Sequence, residues 1–329
     1  MACWIAEHRE PTRCRIGRTR ACKAEEGRSG SGPPTTSIPA PRQGGGKRMT
    51  PRPLERRAII AALKVRQGAG VPDDVPICSY DFAVKQGVAV RFMPISSMEG
   101  IYDRHSKTIV ISSLRPWGRR AFTCAHEYGH HVFGHGAHVD ELPEERQEPR
   151  APEELLADRF AGFLLMPRLA VLDGFRKRGV DPSRCGPTDA YMIACWLGVS
   201  YGAFLTHASL AVGVMPKGVA DGLRRVSPKE VKAGLAPGCL GDELIVVDEH
   251  WANALDLVVG DIAMLPGGTI VEGAVTETIN KTSTATYVRA TSRGIGRALL
   301  GQWAVSIRVM PAEYTGLARC RHIPEEDNA

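Results

Sequence analysis

"RRAFTCAHEYGHHVFGHG" spans residues 119–136, and "PEELLADRFAGFLLMP" follows at 152–167. The first stretch holds His126, His130, His131 and His135, with His138 just beyond and Glu127 in their midst. Positions i and i+4 of a helix share one face, so His126 and His130 of H-E-x-x-H can turn both imidazoles toward one ion. Glu127 lies one residue, about 100°, further round the helix. It stands beside such an ion rather than on it, placed to accept a proton from a water there. His131 and His135 repeat the i, i+4 spacing, but Val132 stands where the acid would be and Gly134 stops the helix. That pair can hold an ion and has no base, so the first pair is favoured.

A catalytic site of this type needs a third protein ligand and an open position. The second stretch offers Glu154 and Asp158, one helical turn apart. Glu154 on a crossing helix would complete a His2Glu set, and Asp158 on the same face would orient one imidazole from behind. Glu153 is the other candidate ligand, and both glutamates also suit a helix start, where the dipole favours acids. Tyr128 and His207 are the candidate donors to the oxyanion or the substrate.

The two stretches together resemble the ImmA/IrrE metallo-endopeptidases. The family pattern is a lead-in matched here by Arg120, Phe122, Thr123 and Ala125, then H-E-x-G-H, then a block matched from Glu154 to Pro167. The upstream "EGIYDRHSKTIVIS" is similar to the family's hairpin, and the likeness runs over residues 54–167, weakening across 168–215. The resemblance implies a zincin-like core with one Zn2+ per chain on His126, His130 and Glu154, Mn2+ substituting in vitro, and Glu127 as general base. It also implies the substrate class: a regulatory protein of the helix-turn-helix repressor type, encoded nearby, whose cleavage relieves repression of mobile-element or stress genes. Asp158 stands where the family usually has Asn. His135 matches a histidine common in the family and is read as structural. A non-cleaving regulatory or DNA-binding protein that keeps the metal site is the alternative. Retention of the base Glu127 argues against it, because a pure binder has no use for one.

Working outward, the fold class is α+β: a metalloprotease core, then a helical module, then β-rich sequence. Residues 1–53 form a basic leader dense in Gly, Ser, Pro and Arg, which cannot bury enough apolar surface to fold, and translation from Met49 is an open option. Residues 54–168 are the core, in which "TIVIS" (108–112) is the candidate edge strand for pairing with an extended peptide. Residues 169–225 are a helix-turn-helix-like module around "LGVS", without the Arg/Lys cluster that duplex binding requires, so direct DNA binding is disfavoured. Residues 226–329 are β-prone, and "ATSRGIGRALL" (290–300) is a loop there: too few residues follow it for a dinucleotide-binding βαβ unit.

The net charge of +6 resides in residues 1–48, where ten bases meet four acids; the other 32 bases and 32 acids balance. Charge therefore says little about partners of the folded part. Nine cysteines, an odd number without a C-x-x-C pair, suit reduced thiols better than a disulfide framework. Cys124 is expected to pack as a small apolar residue. No apolar run reaches the roughly 18 residues of a membrane span, and no signal-peptide core is evident. A cytoplasmic protein without membrane contact is expected.

Overall fold

The computed structural model describes residues 53–136, 138–141, 151–238 and 243–324. The basic leader and the Met49 start lie outside the described residues. The chain is mixed α+β, built of short helices and three small sheets.

Helix α1 (Pro53–Gly68) buries Ala58, Ala62 and Arg66, a face of i, i+4, i+8 spacing. The arginine on this apolar face is explained by its partners: it donates to Leu164 O at 2.8 Å and to Pro72 O and Val75 O. Helix α2 (Ser79–Lys85) ends before Gly87, whose φ of 80° turns the chain into strand β1 (Ala89–Met93). Strands β2 (Met98–Asp103) and β3 (Thr108–Ser112) then form the antiparallel hairpin expected around "DRHSK". Asp103 holds that turn by accepting from the amides of His105 and Ser106.

Helix α3 (Trp117–Phe133) carries the histidines, strand β4 (His138–Glu141) follows, and helix α4 (Pro152–Leu165) packs across α3. One sheet lies over these helices, in the order β13-β1-β3-β2-β4, where β13 is Gly316–Leu317 near the end of the chain. Ile109 and Ile111 of β3 are fully buried. The expectation that residues 108–112 offer a free edge is corrected here: β3 is bonded to β1 on one side and to β2 on the other. A proline at Val110 would remove an N–H from a strand paired on both sides, opposite Arg91 and Ile101. The strand is central because β1, five residues long like β3 itself, pairs parallel to it on the side away from β2.

Helices α5 (Arg168–Lys177), α6 (Pro187–Leu197) and α7 (Tyr201–Thr206) follow, and a π-turn (His207–Ala211) extends α7. The two helices flanking "LGVS" are α6 and α7. Gly198 in the left-handed region caps α6, Ser200 caps α7, and the pair is bent by 101°. Helices α8 (Lys217–Leu223) and α9 (Pro228–Leu235) precede the β-rich segment, and α9 opens with a Ser227/Glu230 capping box. Among the described residues no single helix is long and apolar enough to cross a membrane.

Strands β5 (Leu244–Val246), β6 (Leu255–Val258), β7 (Ile262–Pro266), β8 (Ile270–Glu272), β9 (Thr276–Lys281), β10 (Ala285–Ala290), β11 (Gly294–Leu300) and β12 (Trp303–Met310) make two four-stranded sheets, ordered β5-β7-β10-β9 and β6-β12-β11-β8. The segment expected to loop at 290–300 is largely β11, paired on both sides. Its glycines permit this: a Cβ on Gly296 would sit 2.7 Å from Glu272 O, so the neighbouring backbone approaches closer than any side chain allows.

Candidate metal centre

Each site side chain owes its place to a local rule. Helix α3 carries His126 and His130 one turn apart, with their Nε2 atoms 3.0 Å from each other. Helix α4 must approach closely for a carboxylate to join them, and small residues at the crossing allow it. A Cβ on Gly129 would lie 3.0 Å from Phe160 Cδ1 and 3.3 Å from Ala157 Cα. Glu154 then reaches both rings, Oε2 at 3.3 Å from His126 Nε2 and Oε1 at 3.2 Å from His130 Nε2. One donor atom from each of the three residues lies within 4.8 Å of the others, and all three side chains are largely shielded from solvent. Glu153 is exposed and lines a cleft with Arg57, Phe133 and His135.

Burial alone would push the Glu154 carboxyl up. The hydrogen bonds and charge of His126 and His130 outweigh it and hold the group well below the usual carboxylate range. The ring orientations are fixed from behind. Asp158 Oδ1 is 2.9 Å from His126 Nδ1, and His135 Nδ1 is 3.0 Å from His130 Nδ1. Two imidazole nitrogens and an ionised carboxylate, converging in a buried pocket with their far sides already engaged, are a donor set suited to a borderline divalent cation such as zinc. The residues present fit the ion.

Glu127 follows His126 and is almost fully buried beneath β2. A Cβ on Gly100 of β2 would lie 3.2 Å from Glu127 Oε1 and 2.5 Å from Thr123 Cγ2, so the strand rests directly on this carboxylate. Glu99 anchors it there, 3.6 Å from both Arg115, just before α3, and Arg119 in its first turn.

Other candidates fall elsewhere. Tyr128 packs edge-on to Phe82 and stacks with His131. His131 Nδ1 meets the Tyr102 hydroxyl at 2.6 Å, so the second i, i+4 pair is split between the sheet and His130. His207 Nε2 donates to Met166 O at 2.9 Å, and its Nδ1 faces Gly162, eight residues along α4 from Glu154. The structure brings neither Tyr128 nor His207 to the donor set. Cys124 is fully buried, and its thiol is pushed far up by burial, as a packing residue should be. Sequence reasoning missed Gly100, Gly129 and the bond made by His135. A glycine inside H-E-x-G-H was the visible signal for the helix crossing.

Two imidazoles and a carboxylate with an adjoining glutamate, held by two packed helices under a small sheet, are a side-chain set that a metal-dependent hydrolase can use. Residues 83–207 match the family model described as the IrrE N-terminal-like domain, Peptidase_M78. That stretch contains the whole donor set. No curated protein matches the chain.

Proposed function

We propose that the protein is a zinc-dependent, site-specific endopeptidase, with a helix-turn-helix transcriptional repressor encoded nearby as its substrate and derepression of mobile-element or stress genes as the outcome. One observation carries the reading: two Nε2 atoms and the Glu154 carboxylate converge within 4.8 Å, with Glu127 on the adjoining position of the same helix.

His126, His130 and Glu154 would hold the ion. When bound, zinc supplies a Lewis acid and brings the pKa of water to about 7. The rest is the work of the chain. The Glu127 carboxylate takes the proton of the attacking water and returns it to the amine nitrogen as the peptide bond breaks. β2, pressed on Glu127 at Gly100, keeps bulk solvent from the base. Asp158 holds His126 in the tautomer whose Nε2 carries the lone pair toward the donor set.

Co-expression with the neighbouring repressor tests the proposal. The wild-type chain should produce one defined fragment and purify with stoichiometric zinc. Glu127→Gln should keep the zinc and lose cleavage by about 100-fold or more. A fragment of equal yield from Glu127→Gln would remove the base from the mechanism. Intact repressor captured by the wild-type chain, with no cut, would favour the non-cleaving alternative.

A further inference from the structure

We propose that His135 is a positioning residue for the metal centre: it accepts a hydrogen bond from His130 Nδ1–H and so fixes the tautomer and ring plane that direct His130 Nε2 at the ion. The inference rests on the metal reading above and goes beyond it, since His135 is not itself in the donor set.

A ligating imidazole spends one nitrogen on the metal, and its other N–H needs an acceptor that sets its orientation. For His126 that acceptor is the Asp158 carboxylate, 2.9 Å away. For His130, whose side chain is fully buried, the nitrogen opposite Nδ1 is His135 Nδ1 at 3.0 Å. If Nε2 of His130 is to face the ion with its lone pair, the proton must lie on Nδ1, which then donates. His135 Nδ1 must accept, and its own proton lies on Nε2. The centre is thus supported by a carboxylate on one side and by a neutral imidazole on the other.

The chain builds this contact deliberately. On a continued helix, His135 would point about 140° away from His130. Gly134 interrupts the helix with a φ of 69°, its N–H returns to His131 O, and the His135 N–H returns to His130 O at 3.0 Å. That is a Schellman closure, and it brings the sixth residue of the turn back over the first. The His135 ring is then fixed by stacking on Phe133, with centroids 5.6 Å apart and planes 25° apart, and it meets the His130 ring edge-on at 5.0 Å.

The stack on Phe133 makes the competing role, plain aromatic packing, separable by mutation. In the full chain, His135→Phe keeps an aromatic ring and removes the acceptor, whereas His135→Asn places an oxygen near the Nδ1 position and removes the ring. Zinc affinity is read by chelator competition, the visible spectrum of the cobalt(II)-loaded protein reports ligand geometry, and the melting temperature of the metal-free chain reports packing. Loss of a supporting partner of this kind costs about 10- to 100-fold in affinity, so His135→Phe should weaken zinc by that factor and alter the cobalt spectrum. Its metal-free melting temperature should stay close to wild type. His135→Asn should bind zinc within a few-fold of wild type, even if less stable. Wild-type affinity in His135→Phe, or equal weakening in both variants, would overturn the role of the acceptor. A wild-type chain that takes up no zinc would overturn the metal reading itself, and this inference with it.

Discussion

Gly100 and Gly129 shape the candidate centre, because at each the neighbouring atoms leave no room for a side chain. At Gly129 the contact lets α4 deliver Glu154; at Gly100 it seats β2 on Thr123 and Glu127. Gly100→Ala would put a methyl 2.5 Å from Thr123 Cγ2 and force either the strand or the base to move. Overpacking of this kind costs about 1–3 kcal/mol. The expected outcome is a folded chain with full zinc content and cleavage reduced at least 10-fold, checked by metal analysis and rate on the same sample. Undiminished cleavage would mean that β2 yields freely and does not set the position of Glu127.

At the scale of elements, α4 is also held at the end away from Glu154. Arg66 of α1 binds Leu164 O, and His207 of the π-turn binds the carbonyl of the capping residue Met166, so the end of the helix has two side-chain donors. Burial pushes the His207 imidazole down to about 4, and its Nδ1 faces backbone at Gly162. The folded state therefore holds this ring neutral, while the unfolded chain takes up the proton near the ordinary histidine pKa of about 6.5. The sign follows: stability from His207 is intact above about pH 6.5 and declines as pH falls toward 4, by up to about 3 kcal/mol. His207→Gln can still donate to Met166 O and does not titrate. Its denaturant-unfolding free energy should fall less steeply than that of wild type across this interval; parallel slopes would show that the ring is not the group responsible.

Across the whole molecule, residues far apart in the chain are locked together by charge. Asp256 of β6 accepts from Arg308 Nε at 2.8 Å and from Arg321 at 3.0 and 3.1 Å, and both arginines also reach Asp81 of α2. Arg321 lies against the Tyr80 ring as well. Burial raises the Asp81 carboxyl, but Arg321 and Arg308 more than reverse this and keep it ionised. β13 adds to β1 from the same end of the chain, so the late sequence is part of the sheet that covers the metal helices. Asp256→Ala would leave two largely buried guanidinium groups sharing one carboxylate. Breaking such a network costs about 3–5 kcal/mol, which a thermal melt should show as a single transition at clearly lower temperature. A second, early transition confined to the β-rich part would show instead that the two regions unfold independently.

Local spacing was enough to read the helices bearing His126, His130 and Glu154, the hairpin at "DRHSK" and the stop at Gly134, because helical and strand periods are properties of neighbouring residues. The separation of His131 from His135, the central place of β3 and the strand at 294–300 depended on which distant backbone came alongside. No periodicity encodes that. Arg66 shows the limit most plainly: an arginine on an apolar face is legible only through the carbonyls that surround it, and those belong to other elements. The sequence by itself determined which side chains could carry metal chemistry. The tertiary structure decided which of them meet, because a coordination site is a matter of distances between elements, and those are set by packing.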